Sequence, residues 1–103
     1  MRGEELMCRE DPVKELIREI AKKEGLELLD ENAIYCHYDW TVNDCWSWVC
    51  CRICVSFAKA NNNITEKKYE FKYKFYGEEY DVGVDIKKLK TIVMIKVTVY
   101  GYI

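Results

Sequence analysis

The sequence predicts an α+β protein in which one N-terminal helix packs on a curved antiparallel β-meander of about five strands. Two patterns carry this prediction. Residues 11–25 have the apolar spacing and the end signals of an amphipathic helix. Residues 33–102 hold successive segments in which apolar and polar side chains alternate, as they do in half-buried strands. Because a lone helix must bury its apolar side, we expect it to cover one face of the sheet.

Length and composition predict a single domain over residues 1–103. Half of the 103 residues are apolar, which is enough for one core and argues against disorder. We expect the polar residues 1–10 to form a flexible N-terminal segment. The charged start does not resemble a signal peptide, and the most apolar run is too short to span a bilayer and contains Arg52. We therefore expect a cytoplasmic protein that does not bind membranes.

The helix has clear signals at both ends. Asp11 is a typical N-cap residue and Pro12 suits the first helical position. Gly25 is a typical residue to follow the last turn. The side chains expected to face the sheet are Val13, Leu16, Ile17, Ile20 and Ala21. The charged residues between them are expected to face water.

The segment from Ile34 to Phe57 holds all three tryptophans, five of the six cysteines and the only histidine. Its alternation predicts two strands joined by a two-residue turn at Asn43-Asp44. A helix over residues 44–59 is the alternative, although many of its residues favour strands. In the hairpin register Cys36 lies opposite Cys51 on the covered face, which predicts a disulfide or a thiol contact between them.

Three further strands follow, joined by a turn at Gly77-Glu78 and by the connection around Lys87 to Lys90. The side chains expected to face the helix are Tyr69, Phe71, Tyr73, Phe75, Tyr80, Val82, Val84, Ile86, Val93, Ile95, Val97 and Val99. We expect strands that follow each other in the chain to be neighbours in the sheet. This order of elements resembles that of cystatin-like and nuclear-transport-factor-like folds, a likeness that implies no function.

The amino-acid usage predicts a hyperthermophilic context. Glutamine is absent, and glutamate and lysine supply most of the charge. In composition the chain resembles orphan proteins of hyperthermophilic archaea and their viruses. Disulfides persist inside such cells, so an oxidised cysteine pair is compatible with a location in an archaeal or virus-infected cell.

Nucleic-acid binding is one alternative function. Residues 1–50 carry a net charge of −6 and residues 51–103 a net charge of +4, which leaves −2 overall. Lysines between aromatic side chains can bind single-stranded nucleic acid weakly, since rings stack on bases while cations meet phosphates. The candidate residues are Arg52 in the second strand of the hairpin and, in the later strands, Lys68, Lys72, Lys74 and Lys96.

A metal site is a second alternative, with His37, Cys50 and Cys54 as the candidate ligands and no obvious fourth. The Cys51-x-x-Cys54 spacing does not support such a site, because these two residues point to opposite faces of a strand. His37 and Cys50 also lie opposite each other in the hairpin register, as a nucleophilic pair would. One histidine among many cysteines produces such neighbours by chance, so we expect no cofactor and no enzymatic activity.

Protein–protein contact is the function that the sequence favours. The side of the sheet expected to face water keeps Trp48, Ile92, Met94, Tyr100 and Tyr102. Apolar and aromatic patches of this kind are typical of partner surfaces. We therefore expect a small interaction module that forms a homodimer or binds another protein, through the outer sheet face or through an edge formed by the C-terminal strand.

Overall fold

The computed structural model describes residues 11–42, 48–60 and 65–101. One helix packs on a five-stranded antiparallel sheet, so the predicted α+β class is confirmed. The elements are α1 (Pro12–Lys23), β1 (Tyr35–Val42), β2 (Trp48–Lys59), β3 (Lys67–Phe75), β4 (Glu78–Lys88) and β5 (Ile92–Tyr100). The segment that had helix as its alternative is a strand throughout Trp48–Lys59.

Helix α1 begins and ends as its sequence predicts. The Asp11 side chain accepts a hydrogen bond of 2.9 Å from the Val13 N–H, and Pro12 takes the first helical position. At the other end Gly25 has a φ of 71°, a left-handed conformation that suits glycine. The N–H of Leu26 then reaches back to the Ala21 carbonyl at 2.8 Å, which closes the helix end. All five residues of the predicted apolar side are buried.

The strand order is β1-β2-β5-β4-β3, which departs from a simple meander after β2. Strand β5 inserts between β2 and β4, so the C-terminal strand is central and the prediction that it forms an edge is wrong. Strands β1 and β3 are the edges among the described residues. Helix α1 lies over β2 and β5, the two strands with which it makes most of its contacts with the sheet.

The β1–β2 register differs from the prediction. Val42 pairs with Trp48 and Cys36 with Cys54, so five residues separate the last pair instead of two. The predicted Asn43-Asp44 turn falls within residues 43–47, which lie outside the described residues. The pairing is displaced by three positions, and a displacement by an odd number exchanges the two faces of a strand relative to its partner.

Strand β2 therefore turns its other side to the helix. Arg52, Cys54, Ser56 and Ala58 lie on the helix side of the sheet. The residues that the predicted register placed on the covered face lie on the opposite side: Val49, Cys51, Ile53, Val55 and Phe57. Ser56 is fully buried, and its hydroxyl donates to the Ala33 carbonyl at 3.4 Å. The error arose because β2 is apolar on both faces, so alternation alone did not say which face packs against α1.

The inward faces of the last three strands are as predicted, and the core contains their valines and isoleucines. The β3–β4 turn is displaced by one residue from the prediction, since Phe75 pairs with Glu78. Tyr76 and Gly77 form the turn, with φ values of 53° and 83°. Positive φ at both central positions belongs to the tight turn whose twist matches that of the paired strands.

Edge strand β3 is also linked to the polar side of α1. The Tyr69 hydroxyl donates to Glu24 at 3.2 Å, and the Tyr73 hydroxyl donates to Glu19 at 3.1 Å. Lys67 forms an ion pair with Glu24 at 2.6 Å. Glu19, which was expected only to face water, is therefore also bonded to the sheet. No helix in the described part of the chain is long and apolar enough to cross a membrane.

Candidate functional site

The side of the sheet away from α1, here called the open face, is divided into two halves. Strands β2 and β5 supply a mostly apolar half, which also contains Lys59, Lys96 and Thr98, and strands β3 and β4 supply a charged half. We call the apolar side chains of the first half the open-face strip; its members, all on alternate positions of β2 and β5, are Val49, Ile53, Val55, Phe57, Ile92 and Met94. No described helix or strand lies over the strip.

The sheet register joins the two parts of the strip at Phe57, which pairs with Met94 across β2 and β5. Further along β2, Val55 lies opposite Lys96 and Ile53 lies opposite Thr98, so the strip narrows to β2 there. Ile53 is 9% exposed and the other members are half-buried, because each is flanked by side chains of the neighbouring strands. The strip is therefore a partly exposed apolar surface.

The charged half consists of opposite charges facing each other across β3 and β4. Lys72 lies opposite Asp81 and forms an ion pair of 3.0 Å with it. The register places Lys74 opposite Glu79 in the same way. Asp81 raises the pKa of Lys72 through a hydrogen bond and through its charge. Because each of these cations faces an acid, the potential of this half is largely balanced.

Tyr100 stands where the two halves meet. Its ring lies over Gly83 at ordinary packing distance, since a Cβ atom built on the glycine would lie 3.6 Å from the ring. Burial and, after it, the charge of Glu70 raise the pKa of the Tyr100 hydroxyl. The side chain is nevertheless 40% exposed, which leaves an aromatic surface at the border of the strip.

Cys51 lies on the open face next to Tyr100 and is only 3% exposed. It pairs with Asp39 on β1 and with Tyr100 on β5. Burial, followed by the charges around it, raises the pKa of the Cys51 thiol. A thiol that resists deprotonation is a weak nucleophile, so Cys51 has the properties of a packed side chain.

Cys36 forms a disulfide, but its partner is not the predicted one. Cys36 is bonded to Cys54, with 4.1 Å between the two Cα atoms, and the prediction of Cys51 as its partner is wrong. The three-residue displacement of the register is the cause, since it brings Cys54 opposite Cys36 on the helix side. Among the described cysteines Cys50 and Cys51 carry free thiols. Cys8 and Cys45 lie outside the described residues.

The other cysteine sites considered from the sequence are not assembled. His37 pairs with Ile53 and lies on the open face, whereas Cys50 pairs with Trp40 and belongs to the helix side. The predicted nucleophilic pair of His37 and Cys50 is therefore separated by the sheet. Cys54 is held in the disulfide, which removes the third candidate metal ligand. No group of three metal-ligating side chains occurs in the part of the chain that is described.

The predicted interface residues fall into three groups. Ile92, Met94 and Tyr100 lie on the open face, as expected. Trp48 lies on the helix side, at the end of the β1–β2 hairpin, where 65% of it is exposed. Tyr102 lies outside the described residues. The β2 members of the open-face strip were missed, because the predicted register assigned them to the covered face.

The predicted nucleic-acid residues also separate. Lys68, Lys72, Lys74 and Lys96 lie on the open face, where the register sets Lys68 and Lys96 against Asp85. Arg52 lies on the helix side and pairs with the N-cap residue Asp11. Four lysines opposed by acids do not form the positive groove that binds single strands.

Comparison of the chain with models of known protein families, with curated proteins and with solved structures gives no match. The geometry of the open face is therefore the basis for assigning a function.

Proposed function

We propose that this chain is a small non-enzymatic protein-interaction module whose open-face strip is covered by another protein, either a second copy of the chain or a foreign protein. The observation that carries the proposal is the row of apolar side chains along β2, with Ile92 and Met94 of β5 beside its end, over which no described element lies. Contiguous exposed apolar surface is typical of partner-binding sites. The side of an antiparallel sheet that faces water usually carries polar side chains instead.

The borders of the strip support the same proposal. Tyr100 is at one side and Tyr35, which is 64% exposed, pairs with Val55 at the other. Aromatic side chains are enriched in interfaces, where they add large contact areas at low entropic cost. The balanced charged half next to the strip supplies the polar margin that interfaces have around their apolar centre.

The composition supports a hyperthermophilic setting for this module, in an archaeon or in a cell infected by its virus. Lysine and glutamate dominate the charged residues, which is the trend of hyperthermophilic proteins. The Cys36–Cys54 disulfide is compatible with an intracellular location in such organisms, whose cytoplasmic proteins retain disulfides.

Site-specific photo-cross-linking tests the proposal. A photoreactive phenylalanine analogue is placed at Met94 in the strip, and in a control at Glu79 in the charged half of the same face. After irradiation in expressing cells, mass spectrometry identifies the adducts. We expect a discrete protein adduct from position 94, formed either with the chain itself or with one other protein. Equal or absent adducts at the two positions would exclude the strip as a binding surface.

The substitution Met94→Lys checks the same surface without a cross-linker. A lysine in the centre of the strip adds a charge that a partner would have to desolvate, so we expect it to abolish the adduct formed from a second reporter at Phe57. The matched control Glu79→Gln changes the net charge by the same amount and leaves the strip intact. Loss of the adduct in both variants would point to a general charge effect instead of a contact at the strip.

A further inference from the structure

We infer that the partner of the open-face strip is an amphipathic helix whose apolar stripe is flanked by acidic side chains. This inference rests on the proposed function and names the class of partner. The helix docks where the strip is widest, on a surface here called the broad patch. Its members are Leu29, Tyr35, Val55, Phe57, Ile92 and Met94.

A short segment before β1 widens the open face at this point. The Leu29 N–H donates to the Phe57 carbonyl at 2.9 Å, as in an antiparallel sheet. The Lys59 N–H donates to the Glu27 carbonyl at the same distance. Leu28, between them, packs against the core on the helix side, so alternation turns Leu29 to the open face beside Phe57. The ion pair of 3.0 Å between Lys59 and Glu27 agrees with this orientation.

The broad patch therefore crosses three neighbouring positions of the sheet. Its outer members are well exposed, Leu29 at 51% and Tyr35 at 64%. Beside Leu29, Phe57 pairs with Met94 across β2 and β5, and both side chains are half-buried. No described helix or strand lies over these side chains. An apolar surface that was one strand wide along β2 is here three strands wide.

The dimensions of the broad patch fit one helix. A helix with its side chains is about 10 Å across, and three neighbouring strands span about 10 Å between the outer two. Beyond this width the open face becomes polar at Lys87 and Lys96. A second sheet packed face to face would also cover those charges. A helix covers the apolar side chains and leaves the charges at its sides.

The opposite face of the same strands already accepts a helix. Helix α1 packs over β2 and β5 through one apolar stripe of its surface. Because β2 carries apolar side chains on both faces, its open side offers a second helix the same kind of surface. With a pitch of 5.4 Å, about two to three turns are enough to cross the broad patch.

Three lysines form a rim around the broad patch. Each is the cross-strand neighbour of one member: Lys59 of Ile92, Lys87 of Met94 and Lys96 of Val55. Lysine stems extend an apolar surface while their ammonium groups stay in water. Acidic side chains on either side of the apolar stripe of a helix would meet these ammonium groups. Charge complementarity therefore selects a helix with acidic flanks over one with basic flanks.

The rim also argues against two other occupants. In a symmetric dimer the broad patch would meet itself and bring two lysine rims together. An anionic membrane attracts segments of net positive charge. Here Glu27 pairs with Lys59, and Asp85 lies opposite Lys96, so the net charge of the region is small. The exposed Lys59–Glu27 pair can nevertheless open for a direct contact with a partner's carboxylate.

Two synthetic helical peptides test the inference on the whole chain. Both carry the same leucine stripe; the flanking positions hold glutamate in one peptide and lysine in the other. Fluorescence anisotropy gives the dissociation constants, and amide shifts in NMR spectra locate the contact. We expect the acidic peptide to bind about tenfold more tightly than the basic one, with shifts centred on Leu29, Phe57 and Met94. Equal affinities, or shifts elsewhere on the chain, overturn the inference.

Substitutions separate the apolar contact from the charges, with circular dichroism to check folding. Leu29→Ser keeps the backbone bond to Phe57 and should weaken the acidic peptide about tenfold. Lys87→Glu combined with Lys96→Glu should reverse the preference, so that the basic peptide binds more tightly. The matched control, Lys72→Glu combined with Lys74→Glu, changes the net charge equally in the charged half and should keep the preference. Reversal by both pairs would reduce the effect to net charge and overturn the inference.

Failure of the inference is distinguishable from failure of the proposed function. A discrete photo-adduct from position 94 in cells, with neither peptide binding, would overturn the helical partner and leave the proposed function standing. No adduct and no peptide binding would overturn both. Light scattering and co-sedimentation with phosphatidylglycerol vesicles test the other occupants. A dimer, or vesicle binding, that is lost with Leu29→Ser would assign the broad patch to a second copy or to a membrane and overturn the inference.

Discussion

Asp11 connects the first turn of α1 to the second strand of the sheet, because one of its carboxylate oxygens caps the helix and the other binds Arg52. The guanidinium of Arg52 also lies 4.7 Å from the centre of the Tyr38 ring. The ion pair is largely buried, with 12% of the arginine side chain and 23% of the aspartate side chain exposed. One residue therefore sets where the helix begins and how it is oriented on the sheet.

We expect Asp11→Asn to lower the free energy of unfolding by about 2 kcal/mol, because asparagine still caps the helix but leaves Arg52 without its counter-charge. Asp11→Ala removes the cap as well and should cost about 1 kcal/mol more. Urea denaturation of both variants separates the two roles. Equal losses in the two variants would mean that the cap contributes nothing.

The Cys36–Cys54 disulfide closes a loop with a sequence separation of 18. Loop-closure entropy predicts that its removal lowers the free energy of unfolding by about 3 kcal/mol. We expect that loss in Cys36→Ala/Cys54→Ala, and no further loss when a reductant is added to this variant. Cys51→Ala is the matched control, since it also removes a buried cysteine but should keep the disulfide in non-reducing peptide maps. A wild-type map that joins Cys36 to Cys51 would contradict the register.

Tyr76 occupies a turn position with a φ of 53°, which non-glycine residues with bulky side chains adopt at a cost. Asparagine tolerates this conformation and is the preferred residue before glycine in such a turn. Tyr76→Asn should therefore raise the free energy of unfolding by about 1 kcal/mol. Tyr76→Ala removes the same ring without relieving the backbone and should give no increase. A gain of equal size in both variants would attribute the effect to the ring.

The Tyr69 hydroxyl makes the free energy of unfolding depend on pH in the alkaline range. Burial and, after it, the charge of Glu24 raise the pKa of the Tyr69 hydroxyl to about 12 from its ordinary value of 10.0. The unfolded chain loses this proton first, so the contribution is complete below pH 10 and is lost as the pH rises towards 12. We expect Tyr69→Phe to show a shallower fall in unfolding free energy over that interval. Parallel curves for wild type and variant would exclude Tyr69 as a cause.

Glu19 and Tyr73 offer an internal comparison for that measurement. The pKa of the Tyr73 hydroxyl is also raised, first by burial and then by its hydrogen bond to Glu19. Tyr73→Phe should change the same part of the curve in the same direction. The double variant should therefore be the least sensitive to alkaline pH.

Several features of the fold followed from local signals. The ends of α1 were predictable because Asp11, Pro12 and Gly25 each have a specific role at a helix end. The inward faces of β3, β4 and β5 were predictable because each of these strands has one clearly more apolar side. In such strands alternation and burial agree, so the pattern has a single interpretation.

The β1–β2 hairpin was not predictable to the same degree. Its register depends on how many residues separate Val42 from Trp48, and the sequence allowed both a short and a longer connection. Strand β2 is apolar on both faces, so the pattern did not reveal the error. The error in the register led to two further errors. The partner predicted for Cys36 was Cys51 instead of Cys54, and Ile53 was predicted on the covered face, although it lies on the open face. The insertion of β5 next to β2 is a long-range pairing that no local pattern encodes.

The central position of β5 has a consequence for how the chain folds. The β1–β2 and β3–β4 hairpins are each local, but they are joined into one sheet only through β5. During synthesis both hairpins leave the ribosome before β5 does, and for that time the inner edges of β2 and β4 have no neighbour. Long-range strand pairing is slow, and unpaired edges invite association between nascent chains. The interval before β5 arrives is therefore when a chaperone would protect this protein most effectively.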